Sequence, residues 1–218
     1  MKLDLILTGD NSPSLYNPEL NETYHSKHGA RQESEHVYIK SGLNELIHLK
    51  EVRVFEMGFG TGLNILLSNN FANQHNKKVT VTSIEAYPLN HEITAKLNYA
   101  NSAIEQSIFD KLHLAPWEEK TQIDSFLSLT KMNVKLEDVC FTSEFDIVFY
   151  DAFGPDKQPH LWTPQIFKKL FELLDDNGIL VTYSAKGQVR RDLQSVGFRV
   201  ERIQGPPGKR EMLRAIKD

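Results

Sequence analysis

Short apolar runs alternate with stretches of helical spacing along most of the chain. VRVFEM at 52–57 and FDIVFYD at 145–151 are nearly continuous apolar runs, which is typical of strands buried on both faces of a parallel sheet. A helical pattern follows each of them, at 62–73 and at 163–178. This alternation predicts an α/β fold, with a doubly wound, mostly parallel, Rossmann-like sheet and helices on both of its faces.

The remaining patterns extend the same sheet. Further strands are predicted at 79–86, 112–115 and 178–184, and further helices at 88–100 and 186–197. Two last apolar runs, FRVERIQ and REMLRAI, flank the turn GPPGK and predict a C-terminal antiparallel hairpin. Because no linker divides the sequence, we expect one domain over 1–218, with 1–50 packed on it as an N-terminal extension.

Composition argues against several classes of protein. The chain is 40% hydrophobic, and none of its apolar runs approaches the ~20 residues of a membrane span. The apolar run at the N-terminus is interrupted by Asp4, so we interpret it as a strand and not as a signal peptide. Cys140 is the only cysteine, which rules out an internal disulfide and suits a reducing cytoplasm. We therefore expect a cytoplasmic protein without a membrane partner.

A glycine-rich turn joins the strand at 52–57 to its helix. EMGFGTGLN places glycines at 58, 60 and 62, where they permit a tight turn and a close approach of the backbone to a ligand. Glu85 ends the next strand, 23 residues after Gly62, and a carboxylate there can accept hydrogen bonds from two ribose hydroxyls. Ligands of open α/β sheets bind beyond the carboxyl ends of the strands, so both features predict one site.

The spacing of these glycines distinguishes between two cofactors. The dinucleotide fingerprint needs a small residue at position 63, which is leucine here. The third glycine is at 62 instead, and the resulting E-x-G-x-G-x-G pattern is that of S-adenosylmethionine-dependent methyltransferases. Nicotinamide binding and a fold without catalysis are the alternatives. Asn64 either contacts the methionine end of the cofactor or supports the loop. We predict that S-adenosyl-L-methionine is bound by Glu56, Gly58, Gly60, Gly62, Asn64 and Glu85.

Six segments together resemble one family of bacterial tRNA-modifying methyltransferases. This family methylates a wobble uridine and is called MnmC when fused to an oxidase and MnmD when alone. The first and the fifth segment below distinguish it from other methyltransferases, although Ala152 and Gly154 exchange the two small residues of its usual D-G-F-A-P. The segments are NETYHSKHGARQESEHVY (21–38), EMGFGTGLN (56–64), SIEAYPL (83–89), LAPWE (114–118), DAFGPDKQPHLWT (151–163) and GPPGKREML (205–213).

The resemblance implies a reaction and a catalytic residue. The family methylates the 5-aminomethyl group of 5-aminomethyl-2-thiouridine in tRNA and gives 5-methylaminomethyl-2-thiouridine. Asp151 would help to remove the proton of the amine and orient it, and Phe153 and Trp162 would flank an extruded base. Asp151 could instead cap the loop, and Trp162 could belong to the core. The FAD-dependent oxidase half of the fused enzyme does not occur in this sequence, so a separate oxidase could act in the same pathway.

The resemblance also places three residues around the cofactor. Tyr24 would belong to a lid or inner wall over it, in a segment that is rich in histidine and glutamate. That segment fits no zinc pattern, and we expect no metal. Trp117 and Glu118 follow the strand predicted at 112–115 and would lie beside the adenine, although Trp117 would suit the core equally well.

Charge is distributed unevenly in a chain of net charge −4. Residues 186–218 hold nine Lys or Arg and four Asp or Glu, whereas the other residues hold 16 and 25. Basic residues near the predicted site are expected to contact phosphates of the tRNA anticodon stem, although they could equally form a solvated surface. A methyltransferase of a small-molecule or protein amine and a non-catalytic binding module remain alternatives. The expected contacts are Lys157, Lys209 and Arg210, with Arg190 and Arg191 on the preceding helix.

Overall fold

The computed structural model describes residues 3–140 and 145–218. In chain order the strands are β1 Asp4–Leu7, β2 Pro13–Asn17, β3 Glu22–Thr23, β4 Glu51–Met57, β5 Lys78–Ile84, β6 Lys120–Gln122, β7 Leu127–Met132, β8 Phe145–Tyr150, β9 Leu174–Thr182, β10 Arg199–Gln204 and β11 Glu211–Ile216. The α-helices are α1 Ala30–Ser34, α2 Leu63–His75, α3 His91–Thr94, α4 Ala103–Leu114, α5 Pro164–Leu173 and α6 Gly187–Ser195. A π-helical turn spans Glu35–Lys40, and 3-10 turns span Leu43–Leu46, Leu136–Asp138 and Pro159–Leu161.

Eight strands form one central sheet in the order β10-β11-β9-β8-β4-β5-β7-β6. The five strands from β9 to β7 in this order run parallel to one another. Antiparallel strands close both edges, with β6 on β7 and the β10–β11 hairpin on β9. The predicted fold class is therefore confirmed, including the C-terminal antiparallel hairpin. The strand order reverses between β4 and β8, which places a crevice at the carboxyl ends of these two strands.

Two apolar layers bury the faces of the sheet. Val54 and Phe55 are neighbours on β4 and point to opposite faces, as successive strand residues must. Val54 belongs to the layer formed with α2 and α4, and Phe55 to the layer formed with α5 and α6. Burying each such side chain contributes about 1.5–3 kcal/mol, so the two layers hold the strand ends in a fixed arrangement.

The N-terminal residues form a small three-stranded sheet in the order β1-β2-β3. Leu15 of β2 and Tyr38 of the π-helical turn are buried in the layer that also contains α2, and the Tyr38 ring lies 5.1 Å from the Phe149 ring of β8. These contacts bring the segment between β2 and α1 over the carboxyl ends of the parallel strands, where it lines the cavity described below.

The strand predicted at 112–115 is wrong, because these residues form the last turn of α4 and its cap. Ser102 caps α4, and its hydroxyl accepts a hydrogen bond from the backbone of Glu105, so the S-x-x-E pattern was the missed signal. The third parallel strand is instead β7. Lys131 interrupts the apolar pattern of this strand although its side chain is buried. It is 1% exposed, and its amino group donates hydrogen bonds to two carbonyls at the end of α4.

Two predicted helices are shorter than their patterns. The one at 163–178 begins as expected, with Thr163 as N-cap and Pro164 in first position, but it ends at Leu173 and the chain enters β9 directly. The helix predicted at 88–100 is capped by Asn90 and does not start at Pro88. It is shortened to α3, which ends at Thr94. Beyond it the chain is unwound and buries Tyr99, whose carbonyl accepts a hydrogen bond from Arg31.

Candidate active site

A cavity of about 1200 Å³ opens at the carboxyl ends of the parallel strands. Its floor is formed by the glycine-rich turn after β4 and by the segments that follow β5, β7, β8 and β9. Its outer wall comes from two distant parts of the chain, residues 17–33 and the hairpin turn at 209–211. Such a volume falls at the upper end of ligand sites and can hold more than one bound group.

The glycine-rich turn presents its backbone to this cavity. Gly58, Gly60 and Gly62 have φ angles of 93°, 49° and 76°, which only glycine adopts without strain. The backbone amides of Gly58 and Phe59 both donate to the Ile84 carbonyl at 3.0 Å, which ties the turn to the end of β5. No side chain caps the start of α2, so its first N–H groups are open to an anionic ligand group. The turn therefore fits the predicted cofactor.

Glu85 is held rigidly beside this turn. One carboxylate oxygen accepts a hydrogen bond from the Gly60 amide at 3.0 Å, and the other from the Tyr87 amide at 2.9 Å. Each carboxylate oxygen has two acceptor positions, so both keep one for a ligand hydroxyl. Its position at the cavity edge thus fits the predicted ribose contact.

Asp151 directly follows β8 and faces the cavity from the other side of the turn. Its Oδ2 accepts a hydrogen bond from Asn64 Nδ2 at 2.8 Å. Burial of the carboxyl raises the pKa of Asp151 to about 7. The nearby Tyr38 hydroxyl lowers the pKa of this carboxyl, although it forms no hydrogen bond of normal geometry with a described residue. Asp151 can therefore gain or release a proton near neutral pH, which a loop-capping carboxylate would not need.

Two aromatic rings form a corner of the cavity. Tyr24 and Phe153 meet edge to face, with ring centroids 5.1 Å apart and an interplanar angle of 83°. A Cβ atom on Gly60 would lie 3.6 Å from the Tyr24 ring, so the ring sits over the glycine-rich turn. Burial raises the pKa of Tyr24, which keeps its phenol neutral. Both predicted residues thus line the same cavity as the glycine-rich turn and Asp151.

Trp162 does not line the cavity, and its predicted role as a wall for the base is not supported. Its side chain is 5% exposed and packs edge to face against Tyr150. The indole N–H donates to the Phe153 carbonyl at 2.8 Å. A buried indole needs such a partner, and here the bond fixes the loop that carries Asp151 and Phe153. Trp162 supports the site from the core.

Trp117 and Glu118 also lie outside the large cavity. Trp117 borders a separate space of about 70 Å³ behind the turn, where Lys131 sits 4.9 Å above its ring. Burial lowers the pKa of Lys131 to about 8. Glu118 accepts a hydrogen bond from the Asn133 amide at 2.7 Å, and the Asn133 side chain donates to the Glu85 carbonyl at 2.8 Å. Neither residue lines the large cavity, and the adenine contacts stay a prediction.

Glu56 is buried beneath the turn and does not reach the cavity. It is 0% exposed and accepts a hydrogen bond from the Ser83 hydroxyl. Asn64, in contrast, lies at the cavity wall and bonds to Asp151. Of the two residues, only Asn64 is placed to meet a ligand.

The three predicted phosphate contacts differ in their surroundings. Lys209 turns inward, where its amino group lies 2.7 Å from a Glu33 oxygen and 4.0 Å above the Tyr183 ring. Its charge is therefore already engaged. Lys157 and Arg210 line the cavity mouth and form no ion pair within residues 3–140 and 145–218. Arg190 and Arg191 do not line the cavity at all.

Several cavity residues were not predicted as site residues. His25 bonds to the Thr61 hydroxyl at 2.7 Å, and burial lowers the pKa of this histidine to about 4, so it is neutral. Glu33 and Tyr183 face the cavity together with Lys209. Tyr183 directly follows β9, and reading the residues at each strand end would have found it. Glu33 offered no signal beyond its crowded segment.

Two features are absent from the described residues. No group of three or more His, Cys, Asp or Glu side chains in 3–140 and 145–218 is arranged to hold a metal ion. Within the same ranges, no helix has the length and apolar character needed to cross a membrane.

The sequence matches the profile of a family described as S-adenosyl-L-methionine-dependent methyltransferase over residues 84–218, more than half of the chain. It is 31% identical over 181 residues to the tRNA 5-methylaminomethyl-2-thiouridine biosynthesis bifunctional protein MnmC of Actinobacillus pleuropneumoniae serotype 5b (strain L20), covering 73% of this chain and 26% of the relative. The protein of the same description from Burkholderia mallei (strain SAVP1) is 30% identical over 220 residues, covering 92% of this chain and 33% of the relative. The chain thus spans about a quarter to a third of the length of these relatives.

Among solved structures, MNMC2 from Aquifex aeolicus superposes with a TM-score of 0.83 at 26% identity. The match covers 100% of this chain and 70% of that one. From all of this we conclude that the chain belongs to the S-adenosyl-L-methionine-dependent methyltransferase family.

Proposed function

We propose that this enzyme methylates the 5-aminomethyl group of 5-aminomethyl-2-thiouridine at the wobble position of tRNA, giving 5-methylaminomethyl-2-thiouridine. The observation that carries the proposal is Asp151, a partly buried carboxyl with a pKa of about 7 that faces the same cavity as the cofactor turn. The curated relatives named above support the product, since their description names the biosynthesis of 5-methylaminomethyl-2-thiouridine in tRNA.

The chemistry requires few protein groups. S-adenosyl-L-methionine supplies an electrophilic methyl group. An alkylamine is mostly protonated at neutral pH and must lose a proton before its lone pair can react. Asp151 accepts this proton, and the N–H of Asn64 holds the carboxylate in place. The neighbouring phenols of Tyr24 and Tyr38 stay neutral, because burial raises the pKa of each, so neither competes for the proton.

Tyr24 and Phe153 form the recognition surface for the base. Their edge-to-face pair offers a ring face inside the cavity, and stacking a base on an aromatic face contributes about 1–3 kcal/mol. A uridine in a tRNA loop can be extruded into such a cavity at small cost, since it is unpaired. Phe153 retains the role predicted for it, and Tyr24 takes the place that Trp162 was expected to fill.

Phosphates of the tRNA are contacted by cations at the cavity mouth. Arg210 and Lys157 are joined there by Lys27 and Lys135, which are exposed and lie on two other segments of the rim. Within the described ranges none of the four forms an ion pair, so each can release a counterion on binding. Lys209 is left out because Glu33 already neutralises it.

The wider setting of the reaction follows from the same proposal. The chain acts as a single domain, in which residues 1–50 are an N-terminal extension packed on the domain, and the segment that contains Tyr24 forms a wall over the cofactor. A separate FAD-dependent oxidase acts in the same pathway in the cytoplasm, where tRNA is modified. These statements rest on the family resemblance and on the position of residues 17–33 at the cavity wall.

The test is transfer of a tritiated methyl group from S-adenosyl-L-methionine to total tRNA from a strain lacking the modification, followed by nucleoside analysis. With the wild type, the label is expected in 5-methylaminomethyl-2-thiouridine. With Asp151→Asn, no label is expected in the tRNA. Label in another nucleoside would replace the proposed substrate. Labelling of a small amine or a protein, with none in tRNA, would refute the proposal and favour the alternative substrate classes.

A further inference from the structure

Glu56 is a buried acid for which the mechanism has no use. It is 0% exposed, and no Lys, Arg or His forms an ion pair with it in the described part of the chain. The ionisable groups that face it from neighbouring elements are Asp151 after β8 and Glu85 after β5, and both are acids. A carboxylate here would be desolvated and repelled, and such a group usually stays protonated.

Two buried oxygens, one on Glu56 and one on Asn64, lack a hydrogen-bond donor among the described residues. Its Oε2 accepts from the Ser83 hydroxyl, whereas Oε1 has no partner among the described residues. Asn64, which interacts with Glu56, also has an unpartnered buried oxygen, Oδ1. A proton on Glu56 would offer Asn64 Oδ1 a donor, whereas an ionised Glu56 leaves both oxygens without one among the described residues. Burial also raises the pKa of Glu56 well above its usual value, which favours the protonated carboxyl.

We propose that Glu56 is a neutral acid in the folded protein and a positioning residue for methyl transfer. Its proton is donated to Asn64 Oδ1. That bond fixes the Asn64 amide in the orientation in which Nδ2 donates to Asp151 Oδ2. The acid of the glycine-rich motif would thus act through Asn64 on Asp151, and it would not bind the cofactor. The catalytic half of this inference rests on the proposed role of Asp151, whereas the protonation of Glu56 does not.

Urea unfolding of the wild type and of Glu56→Gln between pH 5 and 8 tests whether Glu56 is protonated in the folded protein, without any activity assay. The usual pKa of 4.5 applies to the unfolded chain, so the folded wild type keeps a proton that the unfolded chain releases. The folding constant of Glu56→Gln relative to the wild type is therefore expected to rise about tenfold per pH unit. A constant ratio would show that Glu56 is ionised when folded. Glu119→Gln, at an exposed acid, is the control and should give a constant ratio.

Infrared spectroscopy covers the case in which Glu56→Gln does not fold. In Asp151→Asn, which removes the other acid of raised pKa, a C=O stretch of a protonated carboxyl should persist at pH 8. Absence of that band would overturn the proposal.

The positioning role is tested by the pH profile of methyl transfer. Glu56→Gln retains a donor towards Asn64 and should rescue kcat to within about threefold, whereas Glu56→Met should lower kcat about tenfold. The midpoint of the profile should also move to higher pH in Glu56→Met, because Asp151 loses a well-aimed donor. An unchanged kcat and midpoint in Glu56→Met would refute the positioning role. If no variant and no wild type methylates tRNA, the proposed function fails, while the unfolding result still decides the proton.

Discussion

The acids at the two ends of β4 and β8 have different kinds of partner. At the amino end, Asp146 of β8 accepts hydrogen bonds from the backbone and the side chain of Arg53 on β4, and the same guanidinium also binds Asp175. At the carboxyl end, Asp151 is bonded to the neutral amide of Asn64 and forms no ion pair within the described ranges.

The amino ends of these two strands therefore contribute to stability, and their carboxyl ends carry the residues of the chemistry. The ion pairs of Arg53 at the amino end cross-link the strands. Acids at the carboxyl end have raised pKa values, and three buried atoms of this region have no hydrogen-bond partner among the described residues. Perturbed, incompletely satisfied groups mark functional sites, since a ligand can complete them. The three atoms are Tyr38 Oη, Glu56 Oε1 and Asn64 Oδ1.

The largest effect is expected at the carboxyl end, from Asp151→Ala. Loss of the proton acceptor should reduce kcat for tRNA methylation about 10²–10⁴-fold, with S-adenosylmethionine affinity nearly retained. Single-turnover methyl transfer and calorimetry measure the two quantities. Asp146→Asn, at the amino end of the same strand, is the matched control and should leave kcat unaltered. Near-normal kcat in both Asp151→Ala and Asp151→Asn would reduce Asp151 to a part of the loop architecture.

A second expected loss concerns the cofactor. Glu85→Ala should weaken S-adenosylmethionine binding by roughly 10–100-fold, because hydrogen bonds to a charged acceptor contribute about 1.5–3 kcal/mol. Isothermal titration calorimetry gives the affinity. Glu118→Ala, on the neighbouring segment but outside the cavity, provides the comparison. Unchanged affinity in Glu85→Ala, together with NADH binding, would overturn the cofactor assignment.

The pH dependence distinguishes the two ends further. Methyl transfer should rise about tenfold per pH unit below 7 and bend near the Asp151 pKa of about 7. Since that pKa is raised from 3.8, the wild type should lose stability relative to Asp151→Asn as pH rises from 3.8 to about 7. Rate profiles and urea unfolding at each pH test both signs. A bend that survives in Asp151→Asn would belong to another group.

At the amino end the expected effect is on stability alone. Arg53→Met leaves Asp146 and Asp175 without their shared cation and should lower the free energy of unfolding by about 1 kcal/mol. The value is modest because the Arg53 side chain is 39% exposed and solvent screens its charge. Urea denaturation at low and high salt measures it. A fall in kcat at full stability would show that the two ends are not separate.

The smallest effect is expected at the cavity mouth. Arg210→Ala should weaken binding of all tRNAs alike and reduce the slope of log K against log salt by about one, through loss of one phosphate contact. Filter binding at several salt concentrations measures the slope. Arg191→Ala, on α6 and away from the cavity, should leave it unchanged. Equal slopes in Arg210→Ala and the wild type would place the tRNA elsewhere.

The parts of the site that were predictable are those set by local sequence. Glycines at 58, 60 and 62 follow from the turn that a strand-to-helix connection requires, and Glu85 and Asp151 follow from their places at strand ends. Lys209 could not be placed, because its partner Glu33 lies 176 residues away in the sequence. Trp162 was misplaced for a similar reason, since its acceptor is a backbone carbonyl that only the folded loop presents.

The fold shows the same division. β4, β8 and the hairpin have apolar patterns that specify buried strands, whereas β7 carries a lysine at a buried position. That lysine is tolerated because α4 offers two carbonyls to its amino group, a compensation that no local pattern reveals.

The position of β11 has a consequence for how the protein is made. β11 lies between β9 and β10 although the ribosome synthesises it after both, with Ala215 beside Leu180 on one side and Val200 on the other. Until it arrives, β9 presents an unpaired edge, and β10 has no strand to pair with. The hairpin turn that completes the cavity wall is made just before it. A nascent chain therefore carries the glycine-rich turn and Asp151 well before it has a closed cavity, and chaperones would meet it in that state.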